Sequence, residues 1–485
     1  MSIKNEQNLD PEDWDLMTSL GRDMVTEMMG FLRDVGDRPV WKAIPDETKR
    51  FLNEDIPSAG TPAEEIYRQF KEHILPYAKG NIHPRFWAWV QGTGTPLGML
   101  ADMLASGMNS NVTIGEQSAV YVDRQVVDWC RQMMGMPDTT SGMLLSGGSM
   151  ANTTALLVAR NTMLPDVREK GIWGLKARPV MYCSTETHGC VVKAAEAIGI
   201  GTEGLRKISV HADFTIDIKK LEDQIKTDLA GGLRPFCIVG NVGTVNTGAI
   251  DDLSALTSFR DKYRLWLHLD GAFGALAKLV PEYAGKLKPI ETADSVAFDL
   301  HKWMYMPYEV GCVLIARRAD HRNSFAGSPN YLLHHERGLA SGPESLNNYG
   351  LELSRGFKAL KVWMSLKEHG MAKYAGQIEK NILQARYLGR LIELSPLLEP
   401  LAGIPLNIVC FRYNDGSEDN RLNAVNKEIV MTLQERGIAS PSSTVINGIY
   451  AIRVAITNHR SRYLDFDELV RYVLEIGDSA RQKVP

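Results

Sequence analysis

Short apolar runs and helical segments alternate along the chain from about residue 97 to 371, and this alternation is the strongest constraint on the fold. The apolar runs are bounded by turn residues, as strands are. Strands that alternate with helices form a mostly parallel sheet covered by helices on both faces. We therefore predict an α/β fold with strands at 179–183, 208–210, 236–240, 265–269 and 310–315.

Two of the predicted strands end in side chains that suit catalysis. Asp270 ends the run that begins at Leu265, and His301-Lys302 ends the near-apolar run that begins at Asp294. Ligands of such sheets bind at the C-terminal ends of the strands, where these side chains fall. A lysine delivered into an interior site can form a Schiff base, and pyridoxal phosphate (PLP) is the cofactor that uses one most often.

A PLP site also needs an acid for the pyridine nitrogen and a cradle for the phosphate. Asp270 is the candidate acid, and Gly148 with Ser149, at a strand-to-helix turn, offers N–H groups, a hydroxyl and the positive end of a helix. Taken singly, each feature has an ordinary alternative as a strand end, a helix cap or a turn. Their order along the chain favours the PLP interpretation.

Further motifs in the same order extend over most of the chain, from about residue 83 to 453. They include His83-Pro84-Arg85-Phe86, Ser146-Gly147-Gly148-Ser149 with Ala151-Asn152, His188, Gly243-Thr244, Trp266 to Ala272, His301-Lys302-Trp303 and Leu353-Ser354-Arg355. In these motifs the chain resembles the group II PLP-dependent decarboxylases, the family of aromatic-L-amino-acid, histidine, glutamate and cysteine-sulfinate decarboxylases. The resemblance implies fold type I of PLP enzymes, the aspartate aminotransferase fold. It also implies that the chain converts an L-amino acid to its amine and CO2, with transamination or aldehyde formation as the alternative.

The resemblance implies a role for each site residue. Lys302 binds the cofactor, Asp270 keeps the pyridine nitrogen protonated, and His188 stacks on one face of the ring. Ala272 could pack against a ring face, Thr244 lies near the cofactor, and His301 donates to the phosphate. The predicted cofactor residues are therefore Gly148, Ser149, His188, Thr244, Asp270, Ala272, His301 and Lys302.

A polar, turn-rich stretch from Phe325 to Ser345 resembles a lid loop. The resemblance implies that this loop closes over the site of the neighbouring subunit, and that Tyr331 protonates Cα after CO2 has left. The ordinary alternative is a surface tyrosine. With Tyr331 the predicted catalytic set is Lys302, His188, Asp270 and Tyr331.

The substrate is less well defined by the sequence. Trp89 matches an aromatic residue of the substrate pocket in aromatic decarboxylases, whereas Asn111 and Thr113 replace large apolar residues and indicate a more polar pocket. An aromatic L-amino acid is favoured, and a small polar or acidic amino acid is the alternative. Arg355 and Arg453 are possible anion ligands or structural residues.

The composition is that of a globular enzyme. The net charge is only −4, from 54 basic and 58 acidic residues, and without a basic block nucleic acid is excluded as a partner. The sequence contains no stretch of about 18 apolar residues, so we predict no membrane span. The six cysteines lack metal-ligand spacing, so we expect reduced thiols, no metal and a cytoplasmic location.

The chain divides into three predicted parts: an N-terminal helical segment (1–96), a large PLP-binding domain (97–371) and a small α+β domain (372–485). Asp10-Pro11 and the capping box at Thr61-Pro62 predict helix starts in the first part. The apolar stripes of these helices need a cover. The resemblance implies that the partner subunit of a homodimer provides it and that active sites lie at the subunit interface; packing on the same subunit is the alternative.

Overall fold

The computed structural model describes residues 8–327 and 335–483. Within these ranges no helix is long and apolar enough to cross a membrane. The strands, in chain order, are β1 (Phe86–Trp87), β2 (Ser141–Leu145), β3 (Pro179–Ser184), β4 (Leu205–Ile208), β5 (Arg234–Asn241), β6 (Trp266–Asp270), β7 (Ser295–Asp299), β8 (Gly311–Ile315), β9 (Leu398–Pro400), β10 (Ile408–Tyr413), β11 (Ser440–Ile446) and β12 (Ile449–Ala455).

Helices connect and cover these strands. In chain order they are α1 (Trp14–Arg33), α2 (Asp46–Phe51), α3 (Ala63–Gln69), α4 (Pro96–Met108), α5 (Ser118–Met134), α6 (Gly148–Met163), α7 (Val167–Lys170), α8 (Gly189–Ala197), α9 (Ile218–Ala230), α10 (Leu253–Tyr263), α11 (Pro281–Ala284), α12 (Leu300–Trp303), α13 (Arg318–Phe325), α14 (Ala359–Glu393), α15 (Asp419–Glu435) and α16 (Tyr463–Lys483).

The larger sheet has the strand order β2-β8-β7-β6-β5-β3-β4. Neighbouring strands from β7 through β6, β5 and β3 to β4 are parallel, and β8 is antiparallel to both β7 and β2. The predicted α/β fold with a mostly parallel sheet is therefore confirmed. The strand expected at 208–210 is displaced. Its pairing with β3 ends where β3 ends, so β4 stops at Ile208 and Val210 forms an isolated bridge with Ile216.

Alternate residues of the larger sheet pack into two different apolar clusters. Leu267 and Val296 belong to one cluster, whereas Val239 and Ala297 belong to the other. Successive side chains of a strand lie on opposite faces, so both faces of this sheet are buried. This burial explains why the strands appear in the sequence as continuous apolar runs.

The smaller sheet has the order β1-β11-β12-β10-β9 and packs against α14, α15 and α16. Its edge strand β1 comes from the predicted N-terminal segment and pairs in parallel with β11. The predicted boundary at 371/372 falls beside Gly370, whose φ of 67° interrupts α14. The three-part division of the chain remains a prediction.

Two predicted helix starts are wrong. The first helix begins at Trp14, because Asp13 and not Asp10 is the N-cap: its side chain accepts a hydrogen bond of 2.9 Å from Leu16 N–H. The capping box at Thr61 does not form, since α3 starts directly after Pro62 without a side-chain cap in the described residues.

His321 in α13 predicts acid sensitivity of the fold. It is fully buried, its Nδ1 lies 2.8 Å from Ser141 Oγ, and burial lowers its pKa to about 3. Because the folded pKa lies below the unfolded value of about 6.5, its stabilising contribution is complete above about pH 6.5 and is lost as the pH falls towards 3. We expect the difference in unfolding free energy between wild type and His321→Gln to shrink by about 2 kcal/mol from about pH 6.5 to about pH 5.

Urea denaturation at a series of pH values measures this difference. The same replacement at the exposed His211 is the control for the loss of a histidine. A stability difference that stays constant with pH would show that His321 takes up its proton in the folded state as well.

Candidate active site

Three parallel strands bring acidic and amide side chains to one edge of the larger sheet. Asn241 ends β5 and pairs in register with Asp270, which ends β6, and Asp299 ends β7. Lys302 follows in the short helix α12. A cavity of about 220 Å³ lies at this edge, and Gly148, Ser149, His188, Thr244, Asp270 and Ala272 line it together with Lys302 and Trp89.

Asp270 is a buried carboxylate at the base of the cavity. It is 6% exposed, and its Oδ1 accepts a hydrogen bond of 3.1 Å from Ala272 N–H. Burial raises the pKa of Asp270, while the charge of Lys302, the Ala272 N–H and the Asn152 side chain oppose this rise. A cationic N–H group in the cavity would therefore find an incompletely compensated negative charge.

Asp299 accompanies the lysine. Its carboxylate is 1% exposed, and Oδ2 lies 2.8 Å from Lys302 Nζ. Within the described residues neither carboxylate oxygen accepts a hydrogen bond of regular geometry, so this contact is an ion pair. Burial acts to lower the pKa of Lys302, but the charges of Asp299 and Asp270 outweigh burial and the pKa is raised.

The glycine-rich turn leaves a helix N-terminus open to the cavity. In the described part of the chain α6 begins at Gly148 without a side-chain cap, so its first N–H groups lack intrahelical partners. A Cβ at Gly147 would lie 3.0 Å from His301 Cε1, and a Cβ at Gly148 would lie 2.8 Å from Asp299 Oδ2. Only glycine leaves this space free, and an open helix start binds phosphate through its N–H groups.

His301 lies against this turn as a neutral imidazole. Its Nδ1 accepts a hydrogen bond of 3.1 Å from Val310 N–H, so the proton is on Nε2. Burial lowers the pKa of His301, although Asp299 opposes the shift. A neutral Nε2–H next to the open helix start can donate to an anion.

His188 and Thr244 line the cavity but hold local hydrogen bonds. His188 is the N-cap of α8, and its Nδ1 accepts a hydrogen bond of 3.2 Å from Cys190 N–H. The Thr244 hydroxyl accepts 3.1 Å from Ala249 N–H and lies 3.2 Å from the Thr247 hydroxyl. Thr244 therefore stabilises its own turn. It lines the cavity, but its hydroxyl is engaged in hydrogen bonds within that turn.

The predicted substrate residues are not all brought together. Trp89 lines the cavity, is 55% exposed, and carries the Lys79 ammonium 4.3 Å from its ring centroid. Asn111 and Thr113 lie outside the described lining of this cavity. The Asn111 Oδ1 accepts from Arg355 N–H, and the Thr113 hydroxyl donates to the Leu353 carbonyl.

The two unassigned arginines bind the protein itself. The Arg453 guanidinium donates to the carbonyls of Trp89, Val245 and Asn246. The Arg355 guanidinium donates to the Leu144 carbonyl at 2.9 Å.

Tyr331, predicted as the proton donor, lies outside the described residues.

Some cavity residues were not assigned from the sequence. Asn152, Cys190 and Asn241 line the cavity, and Asp299 pairs with the lysine. Asn152 belongs to a recognised motif and Asp299 lies in the apolar run that ends in Lys302, so a polar side chain at either position was a usable signal. Cys190 carries no such signal, because a buried cysteine is usually a core residue.

Comparison with known proteins decides the family. Residues 45–414 match the model of the pyridoxal-dependent decarboxylase conserved domain. The chain belongs to the pyridoxal-dependent decarboxylase family. It is 32% identical to an aromatic-L-amino-acid decarboxylase of Bacillus atrophaeus, with 96% of both chains covered. It is 27% identical to a phenylacetaldehyde synthase of a Rosa hybrid cultivar, covering 92% of this chain and 90% of that protein.

A solved structure agrees with the fold. The Oryza sativa TDC structure with PLP and tryptamine superposes with a TM-score of 0.89 at 23% identity, covering 97% of this chain and 99% of that chain. The predicted fold type I is therefore confirmed. The family model gives PLP as the cofactor of this chain. The cavity fits this cofactor, because an open helix start, a buried carboxylate and a lysine amine lie around one space.

The Lys302–Asp299 ion pair yields a prediction for the cofactor-free protein. Because the Asp299 charge stabilises the Lys302 ammonium, Asp299→Asn is expected to lower the pKa of Lys302 by about one unit or more. Reductive ¹³C-methylation followed by an NMR pH titration measures this pKa, and Lys302→Arg identifies the resonance.

Asp294 offers a matched control for this experiment. It precedes β7 at the opposite end of the strand and pairs with Arg317 at 3.2 Å, so Asp294→Asn should leave the Lys302 titration unchanged. If Asp299→Asn also leaves it unchanged, Asp299 does not hold the ammonium.

Proposed function

We propose that this decarboxylase acts on an aromatic L-amino acid and releases the amine and CO2. The observation that carries the proposal is the joint presence of the Lys302 amine, the buried Asp270 carboxylate and the Trp89 ring around one cavity. Relatives named aromatic-L-amino-acid and tyrosine decarboxylases, at 32% and 29% identity, support the aromatic substrate. The exposed Trp89 ring offers an apolar face against which an aromatic side chain could pack.

The cofactor would be held at its two ends. Gly148 and Ser149 at the start of α6, with the Nε2–H of His301, would bind the phosphate. Asp270 would accept a hydrogen bond from the protonated pyridine nitrogen and keep the proton on that nitrogen, because its buried charge has few other partners. When bound, PLP supplies a protonated ring that accepts the electron pair left at Cα as CO2 departs.

Other side chains would hold the reacting groups. Lys302 would present its amine to the cofactor, and Asp299 beside it would pair with the ammonium form of this side chain. His188, at the cavity wall, would lie along the ring face, with Ala272 on the strand side. Tyr331 would deliver a proton to Cα, since a phenol with a pKa of about 10 is protonated at neutral pH.

We also propose that the chain works as a cytoplasmic homodimer. Large apolar side chains remain exposed on α1 and α4, among them Trp14, Leu16, Met103 and Leu104. Such apolar surface is characteristic of protein interfaces. The six cysteines are free and buried, which supports a reducing compartment.

The experiment that tests the substrate proposal is incubation of the purified PLP-loaded protein with each of the twenty amino acids while CO2 release is followed. We expect aromatic L-amino acids to give the highest kcat/KM. A preference for glutamate, aspartate or another polar amino acid would overturn the aromatic assignment and leave the decarboxylase family unchanged.

Tyr331→Phe tests the choice between amine and aldehyde. The change keeps the ring and removes the phenolic proton, so CO2 release should continue while the product shifts from amine to aldehyde, with oxygen uptake and peroxide formation. A relative named phenylacetaldehyde synthase supports an aldehyde as the alternative product. Amine, aldehyde and oxygen are measured together.

Tyr463→Phe, at an exposed tyrosine of α16, controls for the loss of a phenol elsewhere. Amine production by Tyr331→Phe at the wild-type rate, without oxygen consumption, would exclude Tyr331 as the donor.

A further inference from the structure

The turn that carries His188 is fastened to the end of β5. This turn, Ser184 to Thr187, joins β3 to α8, and His188 follows it directly. The Thr187 N–H donates to the Ser184 carbonyl at 3.2 Å, and the Thr187 hydroxyl accepts from Ser184 N–H at 3.1 Å. Asn241, the last residue of β5, donates from its amide nitrogen to the same hydroxyl at 3.0 Å. The side chain of Thr187 therefore joins its own turn to a neighbouring strand.

A buried carboxylate holds the Asn241 side chain in place. Asp251 is 1% exposed, and its Oδ2 accepts from the backbone N–H of Asn241 at 2.7 Å and from its amide nitrogen at 2.9 Å. The other oxygen, Oδ1, accepts from Ile216 N–H at 2.8 Å. Because Asp251 is itself fixed by two backbone N–H groups, it determines where the Asn241 amide lies.

The end of β5 also lies beside the floor of the cavity. Asn241 pairs in register with Asp270, and both residues line the cavity together with His188. The His188 ring is exposed, and its Nδ1 accepts from Cys190 N–H of its own helix. The position of this ring relative to Asp270 therefore depends on the segment that carries it. Asn241 ties the start of that segment to the strand next to Asp270.

We propose that Asn241 is a positioning residue that sets the spacing between Asp270 and His188, the two side chains that would hold the cofactor ring at its nitrogen and at its face. It acts through Thr187, which is not part of the described cavity lining. This inference rests on the proposed stacking of His188 on the ring. It adds the contact that keeps His188 at the distance a planar ring requires.

A second contact joins the same two elements. Asn246, in the loop after β5, donates from its amide nitrogen to Glu186 Oε2 at 2.9 Å. Glu186 belongs to the turn before His188, so this turn keeps one connection to the β5 side when the Thr187 contact is removed. Loss of the Thr187 hydroxyl is therefore expected to displace the turn slightly and to weaken cofactor binding to a moderate extent.

The test measures the apparent Kd for PLP by titrating the cofactor-free protein and following the imine absorbance. Thr187→Val keeps the size of the side chain and removes the hydroxyl. Since a stacked ring pair changes affinity by about twofold to tenfold, we expect His188→Ala to raise the Kd by up to about tenfold and Thr187→Val to raise it by about threefold. Thr187→Ser keeps the hydroxyl and should bind PLP as the wild type does.

Double variants show whether the effect passes through His188. Residues that act through one another have non-additive effects, so neither Thr187→Val nor Asn241→Ala should weaken PLP binding further once His188 is replaced by alanine. Thr257→Val in α10 is the matched control, because the Thr257 hydroxyl donates to the Leu253 carbonyl at 2.8 Å outside the described cavity lining. This control should leave the Kd unchanged with and without His188.

Wild-type affinity in Thr187→Val overturns the inference, and so does an equal loss of affinity in the presence and absence of His188. An equal loss would mean that the contact acts on the fold or on the cofactor directly. If Asn241→Ala does not fold, the Thr187 variants decide alone. Wild-type affinity in His188→Ala would remove the proposed stacking of His188, and the inference with it, whereas CO2 release tests the decarboxylase activity separately.

Discussion

The parallel register of β5, β6 and β7 is the constraint on which the site depends. Asn241 pairs with Asp270, and Asp270 with Ala297, so three neighbouring strands end at the same edge. Parallel strands with both faces buried leave this edge as the place where polar side chains can gather without crossing the core. A slip of one residue would reverse the facing of every side chain on that strand and bury Asp270 in an apolar cluster.

The buried charges at this edge are partly compensated within the site. Two carboxylates and one ammonium lie within the same small volume, and the Lys302–Asp299 distance of 2.8 Å shows where the ammonium lies in the cofactor-free chain. Removing one partner from such a group would leave a buried charge uncompensated, at a cost of about 3–5 kcal/mol. The charged side chains of the site therefore stabilise one another, because they are buried away from water.

The sequence predicted the mostly parallel sheet, because runs buried on both faces are continuous and apolar, and it predicted that Asp270 and Lys302 end their strands. It did not predict where β4 ends or where α1 starts, since pairing with β3 and the cap at Asp13 decide these. The partners Asn152, Cys190 and Asp299 come from separate strands and helices, and their proximity depends on packing. Asn111 and Thr113 do not line the described cavity as expected, for a similar reason. Their side chains form hydrogen bonds with the backbone of the segment near Arg355.

Arg453 links the stability of the smaller sheet to that of the cavity wall. Its guanidinium, on β12 of the smaller sheet, bonds the carbonyls of Trp89 and Val245, which both line the cavity. Arg453 thus ties the smaller sheet to two parts of the cavity wall, the segment before α4 and the loop after β5. Ligand binding to such a composite wall stabilises it by RT ln(1 + [L]/Kd). We therefore expect bound cofactor to make local unfolding of β12 rarer, so that amide exchange in a strand outside the cavity lining reports the fraction of loaded protein.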